Sequence, residues 1–101
     1  MEDALALDSI GVFAIVLECI PEGVARRITD ATNVPTIGIG AGRHCNGQVL
    51  VTNDLLGLDP RFKPRFVKRY AALGAEVKAA VAKFREEVLE EKFPAEENTF
   101  H

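Results

Sequence analysis

Tryptophan is absent from this chain of 101 residues, tyrosine and methionine occur once each, and there are two cysteines. Cys19 and Cys45 are too few for a disulfide framework and suit a reducing compartment. Long apolar runs are also missing. None approaches the ~20 residues that span a bilayer, so no membrane partner is expected. The N-terminal MEDALALDSIG carries acids where a secretory leader would carry basic residues, and a cytoplasmic location is expected. Nor is positive charge in excess: 12 Lys and Arg stand against 15 Asp and Glu, a formal charge of −3. Such a balance offers no electrostatic case for nucleic acid or an anionic membrane. What is present, 48% hydrophobic and 27% charged residues, is the make-up of a globular protein and excludes disorder or a collagen-like chain. At this length one domain over residues 1–101 is the default.

The chain reads as α/β. Leu5, Ala6, Ser9 and Ile10 fall near one face of a short opening helix, with Gly11 as its stop. No strand leads into that helix. Val12–Leu17 (VFAIVL) is apolar without alternation, which predicts a strand covered on both faces, as in a parallel sheet. Residues 22–31 then read as a helix with Val24, Ala25 and Ile28 inward. Residues 34–40 (VPTIGIG) form a second buried strand with Pro35 at its start. Strand, helix and strand within about 30 residues make a right-handed βαβ unit. A third strand is expected at Gln48–Thr52. Its connection from Gly42 to Gly47 is shorter than the dozen or so residues of a usual parallel crossover, so both pairing directions stay open. From Pro64 to Lys92 an apolar stripe at spacings of three and four (Phe66, Tyr70, Leu73, Val77, Val81, Phe84, Val88) predicts one long helix, weakened at Gly74.

Glu18 is the sharpest chemical feature. It follows six apolar residues at the C-terminal end of a strand, the edge where parallel α/β folds gather their active sites. An apolar neighbourhood raises a carboxyl pKa, and a carboxylate so placed suits general-base work. The alternatives are a strand-end glutamate facing solvent or one capping the next helix. Gly38, Gly40, Gly42 and Gly47 invite a phosphate-binding reading, but Arg43 and Gln48 stand where a dinucleotide fingerprint needs a small residue and a P-loop needs lysine. A tight glycine turn remains, where backbone approaches a neighbour or ligand. His44 and Cys45 are adjacent, which is poor geometry for one metal ion, and no second pair has zinc-ligand spacing. Asp54 reads as a helix N-cap. Arg61, Lys63, Arg65, Lys68 and Arg69 read as a solvated face or as partners for acids of another subunit. Ser9 and Thr29 have no activating partner at suitable spacing.

Three stretches together resemble one family: VLECIP with RRIT, PTIGIGAG with NGQVLV, and the tail FPAEENTF. They are similar to the C-terminal portion of ketopantoate hydroxymethyltransferases, over nearly the whole chain and in the same order. The resemblance implies part of a TIM-type (β/α)8 barrel, its last three strands with flanking helices, the opening helix following a strand outside this sequence. It also implies hydroxymethyl transfer from 5,10-methylenetetrahydrofolate to 3-methyl-2-oxobutanoate, giving 2-dehydropantoate for pantothenate biosynthesis. In the family a Mg2+ ion holds the keto acid and the glutamate of the LEC motif, here Glu18, removes its C3 proton. The magnesium ligands lie in the family's N-terminal half, so none is assigned in this chain. The family commonly carries Asp at the place of Asn46 and His at that of Asn53.

The resemblance therefore implies partners in a small 2-oxo acid and a folate, no activity for this piece alone, and a homo-oligomer, since open sheet edges drive association. The alternatives are a non-catalytic remnant or assembly module of the same family, and a related barrel lyase acting on another 2-oxo acid.

Overall fold

A computed structural model describes residues Met1–His101. In chain order its elements are α1 (Glu2–Ser9), β1 (Ile15–Glu18), α2 (Glu22–Ala31), β2 (Thr36–Ile39), β3 (Gly47–Gln48), α3 (Thr52–Leu55) and α4 (Leu73–Leu89), with a 3₁₀ turn at Glu96–Asn98. The strands form one sheet in the order β1-β2-β3, parallel throughout. The chain divides into two compact units, residues 1–51 with 64–67, and residues 52–63 with 68–101.

In the first unit the sheet is covered on one face. Side chains alternate along a strand, so Ile15 and Leu17 turn together towards the helices and Val16 and Glu18 turn the other way. Ile15 and Leu17 pack with Ala4 of α1, Ala25 and Ile28 of α2, and Ala41. Three of these six buried residues are alanines, so the core rests on Ile15, Leu17 and Ile28, each contributing roughly 1.5–3 kcal/mol. The opposite face corrects the expectation of a strand buried on both sides: Val16 is 61% exposed and Phe13 92%. The physical reason is supply, because α1 and α2 both lie on the Ile15–Leu17 side. The opening helix also buries Ala4, while Leu5 and Ile10, which share the face read from the sequence, are exposed.

The short connection into β3 is parallel after all. Ile37 pairs with Gly47 and Gly38 with Gln48, so β3 begins beside the N-terminal half of β2. Asn46 secures that return. Its Oδ1 accepts the Thr36 N–H at 2.9 Å and its own N–H donates to Thr36 Oγ1 at 3.3 Å. The Thr36 hydroxyl is 2.8 Å from that of Thr29, which donates to the Ala25 carbonyl at 2.9 Å. Thr36 is fully buried, so this polar knot substitutes for the helix of a usual crossover. Thr36→Val keeps the shape and removes the hydroxyl, orphaning the Asn46 N–H. The variant should lose about 1–2 kcal/mol, read as a lower urea midpoint at unchanged slope.

The second unit starts its long helix later than the sequence predicts. The N–H groups of Tyr70, Leu73 and Gly74 donate to the carbonyls of Leu55, Leu56 and Gly57 at 2.8–3.0 Å, not to carbonyls four residues back. One terminal nitrogen of Arg69 donates to the carbonyls of Asp59, Pro60 and Phe62. Residues 69–72 are therefore held in a non-helical path and α4 begins at Leu73. Gly74 is a close-approach site and not a mid-helix weakness: a Cβ there would lie 2.4 Å from the Leu58 carbonyl oxygen. No residue of α4 is buried, and Val77, Val81, Phe84 and Val88 form an open stripe. Asp54 lies inside the first turn of α3 and is not its N-cap.

Of the basic cluster, Arg61 pairs with Asp59. Hydrogen bonds from the Arg61 side chain, then from its backbone N–H, hold the Asp59 carboxyl below the usual carboxylate range. The native carboxylate is the favoured form, so the pair's support is present at neutral pH and fades as pH falls through the lowered native value. An NMR titration should find Asp59 titrating below free aspartate, and Arg61→Ala should return it upwards.

Candidate functional site

Glu18 ends β1 in register with Ile39, and the glycine turn begins at the next residue, Gly40. The ladder holds one step further, since the Cys19 N–H donates to the Ile39 carbonyl at 2.9 Å. Cys19 itself takes φ 50°, a left-handed conformation rare for a residue with a side chain. It ends the strand and turns the chain towards Pro21 and α2. The Glu18 carboxylate thus stands at the C-terminal edge of the sheet, on the face that α1 and α2 leave open. Its expected apolar enclosure is not supplied by these residues, because Glu18 shares the exposed register of Val16 and is itself exposed.

Two concave features meet this edge. A groove of about 310 Å³ follows the open side of β1, lined by Ala4, Leu7, Val16, Glu18, Ile20 and Val24 among others. A hollow of about 420 Å³ lies over the glycine turn, lined by Gly40, Gly42, Arg43, Gln48 and Phe66. Glu18 lines the first and not the second. Gly40 and Gly42 have φ of 67° and 78°, and a Cβ on Gly40 would sit 3.1 Å from the Phe66 ring. The glycines are therefore required by backbone geometry and by close approach together.

Glu22, the first residue of α2, fastens the turn from below. Its Oε1 is 3.3 Å from His44 Nε2 and 3.5 Å from Arg43 Nε, and its stem occupies the space beside Gly42. Gln48 Nε2 donates to the Gly42 carbonyl at 2.9 Å.

The other sequence candidates go elsewhere. His44 reaches Glu22, whereas Cys45 packs its sulfur against Gly38, so the adjacent pair serves two different neighbours. Asn46 immediately precedes β3 and bonds to Thr36 at the N-terminal end of β2, the opposite edge from Glu18. Asn53 lies in α3, in the second unit. The Ser9 hydroxyl donates to the Ala6 carbonyl and that of Thr29 to the Ala25 carbonyl, local bonds within their own helices. Sequence reasoning missed Glu22, Gln48 and Phe66. Only the glycine spacing signalled the turn, and it did not name the side chains that gather there.

Comparison with known proteins agrees with the motifs around this edge. The family model described as ketopantoate hydroxymethyltransferase matches residues 1–96. A 3-methyl-2-oxobutanoate hydroxymethyltransferase of Moorella thermoacetica is 60% identical over 98 residues, covering 97% of this chain and 36% of that protein. Proteins of the same name from Heliobacterium modesticaldum and Kosmotoga olearia are each 55% identical over 100 residues, covering 99% of this chain and 36% and 38% of theirs. The chain thus spans little more than a third of the length of these relatives. With the match running through β1, the glycine turn and α4 alike, the chain belongs to the ketopantoate hydroxymethyltransferase family.

Proposed function

We propose that these residues are the base-bearing, C-terminal segment of a single (β/α)8 barrel domain. The complete enzyme transfers a hydroxymethyl group from 5,10-methylenetetrahydrofolate to 3-methyl-2-oxobutanoate, giving 2-dehydropantoate in cytoplasmic pantothenate biosynthesis. Glu18 takes the C3 proton of the keto acid. The C–H electron pair passes into an enolate. Water cleaves the methylene carbon's two bonds to the folate nitrogens, which take its protons, and the enolate C3 bonds to the freed carbonyl carbon, whose oxygen takes the proton back from Glu18 to become the hydroxyl. The observation that carries this reading is the place of Glu18, at the C-terminal edge of a parallel sheet and on its uncovered face. In a barrel that face points to the interior, where neighbouring strands supply the apolar surroundings missing here. The open side of β1, with its unpaired backbone groups, accommodates a preceding strand.

The resemblance also implies magnesium on the keto acid. No three His, Cys, Asp or Glu side chains of this chain converge to hold an ion. These residues do not fit that role, and no step runs through it. No helix is long and apolar enough to cross a membrane.

The assembly-module reading draws on a different observation, the unpartnered stripe of α4, which suits a subunit contact in a homo-oligomer. Proton exchange separates the two. With Glu18→Gln in the complete enzyme, exchange of the keto acid's C3 proton into deuterated water should be lost. Unchanged exchange rejects Glu18 as the base.

A further inference from the structure

The hollow over the glycine turn has no part in the proton abstraction, yet its lining is selective. Gly40 and Gly42 put backbone at the surface. Phe66 rests its ring on Gly40 and keeps 40% of its surface open. Arg43 is the one charged group among its lining residues, and its side chain is 87% exposed. No carboxylate belongs to that lining, so Arg43 is the group there that can meet an anion. Glu22 stands just beneath, but it holds Arg43 through Nε, so the terminal nitrogens are not the ones engaged. Glu22 also keeps His44 at 3.3 Å, so it is not orphaned when Arg43 turns to another anion. An aromatic wall, accessible backbone and one forked cation together fit a flat ring with a carboxylate on a short tether. The volume of about 420 Å³ lies in the range of small-molecule sites.

We propose that this hollow binds the p-aminobenzoylglutamate portion of the folate co-substrate, its ring against Phe66 and Gly40 and a glutamate carboxylate on Arg43. The assignment rests on the transferase reading above. Gly40 follows Ile39, the register partner of Glu18, so the hollow lies beside the strand end that carries the proposed base.

The probe is p-aminobenzoylglutamate, titrated into the ¹⁵N-labelled 101-residue chain. Amide shifts are expected at Gly40, Gly42, Arg43 and Gln48. Arg43→Gln should weaken binding about tenfold, the effect of one lost charge-assisted hydrogen bond, with Arg43→Lys falling between. Phe66→Leu should weaken it too, and free glutamate, which lacks the ring, should bind less well. Arg43 is so exposed that its variants should fold normally. No shifts, shifts centred on another surface, or equal affinity in Arg43→Gln would overturn the proposal. In the complete enzyme Arg43→Gln should raise the KM for the folate about tenfold, while C3 proton exchange, which needs no folate, continues. An unchanged folate KM with exchange still abolished by Glu18→Gln would refute this site alone. Exchange surviving in Glu18→Gln would instead refute the assigned base.

Discussion

Glu18→Gln in the complete enzyme is expected to slow C3 proton exchange by about 10²–10⁴-fold, the usual contribution of a positioned general base. Glutamine matches the size and hydrogen-bonding reach of glutamate but has no basic oxygen, so it removes proton transfer and little else. Glu18 faces the interior of the proposed barrel, so the variant's thermal midpoint is measured beside the exchange and should match the parent's. A large loss of exchange at an unchanged midpoint then reports chemistry and not unfolding. Binding of the 2-oxo acid should survive, measured by isothermal titration. Glu18→Asp retains the carboxylate but shortens its reach by one methylene, and should recover part of the rate if position governs transfer. Full activity in Glu18→Gln would move the base to another residue.

Gly57→Ala and Gly74→Ala are expected to be the most destabilising small substitutions in the chain. At Gly57, φ is 63° and an added Cβ would stand 2.4 Å from the Ala71 carbonyl oxygen. At Gly74 the same atom would stand 2.4 Å from the Leu58 carbonyl oxygen. Both obstacles are backbone, so neither can swing aside as a side chain could. A left-handed residue costs about 1–2 kcal/mol and overpacking about 1–3, so Gly57→Ala should lose roughly 2–5 kcal/mol. Gly74→Ala meets the overpacking cost alone, but at the point where α4 starts. Gly23 supplies the control. It lies in α2 with nothing within 4 Å of an added Cβ and without positive φ, so Gly23→Ala should gain about 0.5–1 kcal/mol. Urea midpoints of the three variants test the contrast. A destabilised Gly23→Ala, or an unaffected Gly57→Ala, would contradict this packing.

Helix α2 was legible from the sequence to its end residues, Glu22 and Ala31. Pro21 pins its entry, and Ala25 and Ile28 recur at helical spacing. Glu18 at a strand end was legible too, because a carboxylate directly after an apolar run is a local pattern. The α4 stripe was legible, but not where the helix starts or what its stripe faces. Tyr70 fits the same helical period, yet its N–H bonds to Leu55, 15 residues earlier, and no period of three or four encodes that contact. Likewise VFAIVL states that a strand is apolar and not which elements cover each face. Asn46 read only as a departure from the family's usual Asp, and the motif did not show its hydrogen bonds to Thr36 at the N-terminal end of β2.

The order of residues alone determined what depends on near neighbours: α/β character, α2, the end of β1 at its acid, the need for glycine in the turn, and the family motifs. Tertiary structure decided the parallel pairing of β3, the single covered face of the sheet, the late start of α4, and the meeting of Glu22, Arg43 and Phe66 around Gly40 and Gly42. The division follows from range. Propensity and periodicity act over a few residues, while a hydrogen bond or a steric contact joins groups that are distant in the chain and close only once it has folded.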